Sequence, residues 1–204
     1  MSGVRGGHPD HSWLRHDVPR GVPVTRIVAG SAGGRQLAVP KRGTRPTSDR
    51  VREALFSAVE AAIDLDGARV LDLYAGTGAL GLEALSRGAA AAVLVESDAS
   101  AVAVLRKNVA AVGLPGASVR PARVAAVLAS PPDEPFDLVL SDPPYAVDPT
   151  PDLVALTAGG WLGPGSLVVV ERARRSGPPD WPPSLVPARI RRYGDTELHW
   201  AWAE

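Results

Sequence analysis

The stretch that most constrains this chain is FDLVLSDPPY, Phe136 to Tyr145. Its apolar run, Leu138 to Leu140, reads as a buried strand. That strand delivers Asp142, Pro143, Pro144 and Tyr145 to its C-terminal edge, and ligands of open α/β sheets bind at that edge. Asp142 is an acceptor-only carboxylate when ionised. Two consecutive prolines stiffen the backbone and leave carbonyls without a neighbouring N–H to bend toward. Tyr145 offers a flat face for stacking. The combination suits an exocyclic amine on a planar base, whose lone pair is delocalised into the ring. Acceptors that hold both N–H bonds turn that lone pair toward an electrophile while the aromatic ring holds the base. A proline-rich turn ending a strand would look the same in isolation. The glycine loop upstream favours the chemical reading.

That loop is DLYAGTGALG, Asp72 to Gly81, where Gly76, Gly78 and Gly81 fit G-x-G-x-x-G. By itself the pattern only permits a nucleotide-like ligand to approach a helix N-terminus closely. Asp72 ends the preceding strand, where a carboxylate faces a cation well and repels a pyrophosphate. Glu96 ends the next strand twenty positions after Gly76, placed to accept both hydroxyls of a ribose. S-adenosylmethionine carries an ammonium and a ribose and no phosphate. Asp98 either caps the following helix or sits near the adenine.

Elements alternate along the rest of the chain. Residues 1–22 show no periodicity and read as a disordered extension. Residues 24–39 read as a hairpin turning at Ser31–Gly34, and Ser48 or Thr47 caps a helix with Val51, Leu55, Val59 and Ala62 toward the core. Arg50 and Arg52 near that helix start call for a nearby anion. Strands are expected in ARVLDLYAG (68–76, ending in a loop), in AAAVLVESD (90–98), and at 117–121, 136–141 and 165–171, separated by helices, then two closing strands around Gly194–Asp195. This is an α/β fold with a mostly parallel sheet. The chain divides into the extension 1–22, a basic hairpin and helix 23–65, and a main domain 66–204.

Composition narrows the chemistry. There are no cysteines among 204 residues, so no thiolate nucleophile and no cysteine-ligated metal, and four scattered histidines show no metal spacing. No metal centre is expected. No run is apolar enough for a membrane span, and no signal core begins the chain, so a cytoplasmic protein is expected. The net charge of zero hides an asymmetry: residues 1–52 hold ten Lys/Arg against three Asp, a charge of +7, and the remainder carries −7. A basic arm on an acidic body points to an anionic partner.

VLDLYAGTGALGLEALSRGA followed by FDLVLSDPPYA resembles the class I S-adenosylmethionine-dependent methyltransferases, with a Rossmann-like, seven-stranded sheet. RPTSDRVREALFSAV, the hairpin VTRIVAGSAGGRQLAVP and the terminal RRYGDTEL are similar to one branch, the ribosomal RNA small subunit methyltransferase D family. The similarity runs from Val24 to Leu198. It implies methylation of guanine N2 in 16S rRNA, with the 30S subunit or an assembly intermediate as partner and the chain acting as a monomer. By the resemblance, Asp72, Tyr74, Ala75, Gly76, Thr77, Gly78, Leu80, Glu96, Ser97 and Asp98 would hold S-adenosylmethionine. Asp142, Pro143, Pro144 and Tyr145 would hold the guanine, and Arg26, Arg35, Arg42, Arg45, Arg50 and Arg52 would touch RNA. Two features depart from the wider pattern. ARVAAV, with Arg123 and Val124, lacks an acidic residue for the adenine amine, leaving backbone groups to read it. Tyr74 stands where Phe is common, and its hydroxyl is expected at the site mouth.

The residues alone permit three rivals. Another amino-methyltransferase, acting on DNA adenine N6 or a protein glutamine, would use the same D-P-P-Y chemistry. An NAD-linked oxidoreductase would use the glycine loop, although Asp72 opposes it. A non-catalytic RNA-binding assembly factor would need the arginines and not D-P-P-Y.

Overall fold

The structure is a computed structural model that describes residues 24–40 and 48–204. The expectations for residues 1–22 and for Arg42 and Arg45 lie outside these residues. After a short hairpin, β1 (Val24–Arg26) and β2 (Gln36–Ala38), and helix α1 (Asp49–Glu60), the chain builds one sheet. Its strands are β3 (Arg69–Leu73), β4 (Ala91–Glu96), β5 (Ala117–Pro121), β6 (Phe136–Ser141), β7 (Leu162–Ala173), β8 (Leu185–Tyr193) and β9 (Thr196–Ala203). They lie in the order β5-β4-β3-β6-β7-β9-β8. The first five strands of that order run parallel, and β9 inserts antiparallel between β7 and β8. Near-continuous apolar runs make β3 and β6 strands buried on both faces, as a helix-covered parallel sheet demands.

Register sets the working edge. Asp72 lies opposite Leu140, and Ser141 lies opposite both Leu73 and Val170. The C-terminal ends of β3, β6 and β7 therefore finish side by side. One difference from expectation is β7, which starts at Leu162 rather than 165. The register shifts between Phe136 and Leu138 and takes up Gly163, Pro164 and Gly165. Ser166 seals the irregularity: its hydroxyl donates to the Phe136 carbonyl at 2.7 Å and accepts the Gly163 N–H at 2.9 Å.

Helices α2 (Ala79–Ser86), α3 (Ala99–Val112), α4 (Val124–Leu128) and α5 (Thr150–Ala158) fill the crossovers. Leu82 and Leu85 of α2 join Val70, Leu138 and Trp200 in one apolar cluster, while Leu153 and Leu156 of α5 join Leu71, Val139 and Ala201 in the other. The sheet separates the two clusters. Gly81 lets α2 cross close to β4, since a Cβ there would come within 2.3 Å of a Leu94 methyl and push that side chain aside.

The hairpin and α1 pack on the first cluster through Ile27, Leu37, Leu55, Phe56 and Val59. Ser48 caps α1 by accepting the Val51 N–H at 3.3 Å. Polar ties fix the hairpin to the main sheet's helices. Glu83 of α2 accepts the N–H groups of Val28 at 2.7 Å and Ala29 at 3.0 Å. The Asn108 amide of α3 accepts from the Ala38 N–H at 2.9 Å and donates to the Ala38 carbonyl at 3.0 Å. The same amide nitrogen donates to the Thr77 carbonyl at 2.9 Å, so one side chain joins hairpin, helix and glycine loop.

Candidate active site

A cleft of about 1020 Å³ opens at the C-terminal edge of β3, β4, β6 and β7. It is lined by Asp72, Tyr74, Ala75, Gly76, Thr77 and Leu80 from the first turn, and by Glu96, Ser97 and Asp98 from the second. Asp142, Pro143, Pro144 and Tyr145 close another side. Of the residues expected to hold a cofactor, Gly78 alone does not line it. A Cβ on Gly78 would come within 2.4 Å of Leu105, so that glycine lets α2 pack rather than facing the cleft. Gly76 is the glycine that faces it: its φ is +54°, and an added Cβ would meet only the Tyr74 carbonyl oxygen, at 3.9 Å.

Glu96 is held before any ligand arrives. Its carboxylate accepts the N–H of Gly76 at 2.9 Å, of Ser97 at 2.7 Å and of Asp98 at 2.8 Å. A carboxylate has about four lone-pair directions, so room remains for one strong hydroxyl contact, and a second must share. Asp98 takes the capping role: it accepts the Ala101 N–H at 2.8 Å and the Ser100 hydroxyl at 2.6 Å. The Ser100 bond, with the backbone bond from Ala101, holds its pKa below the usual carboxylate value.

Asp72 is 1% exposed and accepts the Gly81 N–H at 2.9 Å. Burial pushes its carboxyl up to about 7, against that hydrogen bond and with a smaller push from Glu96. Asp142 is raised well above the usual carboxylate range, by burial first, then by Glu171 and Asp72. Glu171 ends the apolar run of β7 and lines the cleft. Sequence reading missed it, although an acid closing a strand was the signal that singled out Glu96. Three carboxylates on adjacent strand ends make the cleft favour a cationic occupant.

The two prolines differ. The Pro144 carbonyl accepts the Val147 N–H at 2.8 Å, so the expectation that both carbonyls lack a nearby donor is corrected for this one. Among the described residues the Pro143 carbonyl and the Asp142 carboxylate accept no hydrogen bond. Tyr145 beside them is 59% exposed, a ring with an open face. Tyr74 is also corrected. Its hydroxyl is not loose at the mouth: it donates to Asp152 at 2.6 Å, tying the first turn, at φ +63°, to the start of α5. Burial raises the pKa of both partners, making each a weaker acid. Arg123, Val124 and Ala125 line the cleft at the start of α4, where no side chain caps the helix.

The basic arm resolves into different roles. Arg52 was expected on RNA, and that expectation is corrected: its side chain is fully buried. It pairs with Asp49 at 2.8 Å and Glu83 at 3.7 Å and donates to Thr25 and to the Arg26 carbonyl. The anion expected near the helix start is thus protein, Asp49 and Glu83. Arg26 is exposed and reaches Asp49 at 3.1 Å. Arg35 is exposed and donates to the Val112 carbonyl. Arg50 is exposed.

The family described as Conserved hypothetical protein 95 matches residues 25–202. The chain is 41% identical to ribosomal RNA small subunit methyltransferase D of Escherichia coli (strain K12), over 77% of this chain and 79% of that one. It is 35% identical to the Haemophilus influenzae protein of the same name, over 72% and 77%. Among solved structures, "Putative methyltransferase yhhF from Escherichia coli" superposes with a TM-score of 0.81 at 34% identity, over 89% of this chain and 99% of that one. The glycine turn, the acid after β4 and the Asp-Pro-Pro-Tyr edge stand together in one cleft within the matched span, and the chain belongs to the ribosomal RNA small subunit methyltransferase D family.

Proposed function

We propose that the protein methylates the exocyclic N2 amine of a guanine in 16S rRNA of the small ribosomal subunit, with S-adenosylmethionine as methyl donor. One observation carries this reading. The Asp142 carboxylate and the Pro143 carbonyl are acceptors without donors, side by side at the cleft, next to the open ring of Tyr145. An amine with two N–H bonds satisfies both acceptors, and the base it belongs to stacks on the ring.

The cleft residues fit the cofactor. Asp72, costly to ionise when alone, gains a partner in an ammonium group. Glu96 is pinned with a lone pair to spare for the ribose. Ala75, Leu80 and Val124 give apolar wall, and the N–H groups opening α4 are donors suited to an adenine ring nitrogen, not to its amine. Bound there, S-adenosylmethionine supplies an electrophilic methyl group. The chain's own work is orientation. Asp142 and Pro143 take the two N–H bonds and turn the lone pair outward, and Tyr145 holds the base flat. Proximity and orientation of this kind contribute roughly 7–11 kcal/mol in favourable cases. The base must leave its stack or lie in a loop. Arg26, Arg35, Arg42, Arg45 and Arg50 would hold phosphates, which position RNA without reading it. In this reading residues 23–65 serve RNA, residues 66–204 serve the chemistry, and the chain works as a cytoplasmic monomer on the 30S particle or its precursor.

The test is label mapping. Small-subunit rRNA and 30S particles from cells lacking the activity are incubated with the protein and methyl-labelled S-adenosylmethionine, and the label is mapped. One guanine N2 is the expected acceptor. Label on adenine, on protein, or nowhere overturns the reading.

A further inference from the structure

We propose that Arg174, Arg175 and Arg191 form a second phosphate-gripping surface for RNA, on the flank of the target pocket opposite the N-terminal hairpin. The proposal rests on the RNA methyltransferase reading and adds where the substrate strand runs.

The charge asymmetry of the chain conceals it. After residue 52 the chain holds twelve Lys/Arg, and six fall between 172 and 192. Sheet order separates these from the hairpin. The hairpin is tied to α2 and α3, which cover β3, β4 and β5, while β8 is the last strand on the other side of β6.

Register places Arg191 on the working face. Ser141 pairs with Val170, so Asp142 continues beside Glu171; Glu171 pairs with Leu198, and Leu198 with Arg191. Residues in one such row share a face of the sheet. Arg191 therefore stands three strands from Asp142, about 14 Å at the usual strand spacing. Arg174 and Arg175 lie just beyond the end of β7, in a 3-10 turn. The Arg174 N–H donates to the Asp195 carbonyl at 2.8 Å, which fixes that turn against the β8–β9 connection.

The six arginines divide by partner. Arg189 stacks 4.1 Å over Trp200 and donates to the Ala58 carbonyl at 3.0 Å, and Arg192 pairs with Glu197 at 2.8 Å. Those two serve the fold, and Arg172 is half-buried. Arg174, Arg175 and Arg191 are exposed, and among the described residues none has an ion-pair partner. Exposed guanidinium forks without carboxylates match a phosphate chain bidentately. The pocket for the target base opens on the same edge of the sheet. A strand whose base enters that pocket carries phosphates away on both sides. The hairpin meets one side, and these three arginines meet the other.

Affinity for unmethylated 16S rRNA, measured at several salt concentrations, tests the surface. Wild type, Arg191→Ala and the double variant Arg174→Ala/Arg175→Ala are compared. The expected result is a log–log salt slope flattened by about 0.7–0.9 per lost contact. Melting temperature and S-adenosylmethionine affinity should stay at wild-type values. Arg189→Ala is the contrast: its melting temperature falls and its slope holds. Charged residues also guard exposed sheet edges against aggregation. That role alone predicts unchanged slopes with poorer solubility, and unchanged slopes in both variants overturn the proposal. A wild-type protein with no salt-dependent rRNA binding overturns the methyltransferase reading together with this surface, a result distinct from wild-type binding with unaltered slopes.

Discussion

Replacing Asp72 with asparagine should make the ligand-free protein more stable above neutral pH while spoiling the cofactor site. The native carboxyl titrates at about 7, whereas the unfolded chain titrates near 3.8. The folded state holds the proton more tightly, so its relative stability is full below about 3.8, falls as pH rises toward 7, and is level above that. At about 1.4 kcal/mol per unit, the whole fall is about 4 kcal/mol, and the part between pH 5 and pH 8 is about 3 kcal/mol. Asparagine keeps an oxygen for the Gly81 N–H and has no proton to lose. Urea unfolding of both proteins at pH 5, 6, 7 and 8, without cofactor, reads the difference. The variant should gain about 3 kcal/mol over wild type across that range. It should also bind S-adenosylmethionine more weakly, having lost the carboxylate for the ammonium. A gap between the two proteins that stays constant within about 0.5 kcal/mol would refute the buried-charge account.

Glu96→Ala should weaken S-adenosylmethionine by the loss of at least one charge-assisted bond, about 1.5–3 kcal/mol, and wild-type affinity by calorimetry would remove Glu96 from the site. Asp142→Asn should bind cofactor normally and lose most single-turnover methylation. The wild-type rate should climb as pH passes the raised pKa of Asp142, because the ionised carboxylate is the stronger acceptor for its share of the amine, and the variant profile should be flat. Tyr145→Phe should be mild and Tyr145→Ala severe, since stacking is worth about 1–3 kcal/mol per base; equal rates for both in saturating RNA would deny the stack. Arg52→Ala should cost about 3–5 kcal/mol in chemical unfolding, leaving Glu83 buried without one partner, with the RNA salt slope intact. Arg50→Ala should do the reverse.

Much of this was legible in the residues. Buried strands announce themselves as apolar runs, so β6 at 136–141 stands where it was expected; β5 at 117–121 also stands where it was expected, as a partly exposed edge strand. The acids closing β3 and β4 were legible because a charge ending such a run needs a reason. What escaped reading depends on contacts between distant segments. Arg52 carries a charge, which argues for the surface, yet it lies on the stripe with Leu55, Phe56 and Val59, at the helical spacing of the core. That spacing was the available signal, and burial is tolerable because Asp49 beside it and Glu83, thirty-one residues on, both pair with the guanidinium. Asn108 had no signal at all, for an amide inside a helix says nothing of a hairpin seventy residues away. The Pro144 carbonyl was misread because the turn brings back Val147, a local closure that the proline pair itself does not reveal.

The ties between hairpin and sheet decide what can be exchanged or cut. Cleaving the chain before Gly67 would strip Glu83 of Val28, Ala29 and Arg52, and the Asn108 amide of both Ala38 bonds. It would also bare the apolar side of α2 that Phe56 and Val59 now cover. A catalytic half prepared that way would carry a carboxylate left with Arg87 as its charged partner and an open greasy face, a recipe for inclusion bodies. Grafting another family's arm onto this sheet meets the same obstacle. The donor arm must present two backbone N–H groups to Glu83, a guanidinium beneath them, and a strand residue to Asn108. The docking code is thus written in α2 and α3 as much as in the arm, and a transplant succeeds when both sides of that code travel together.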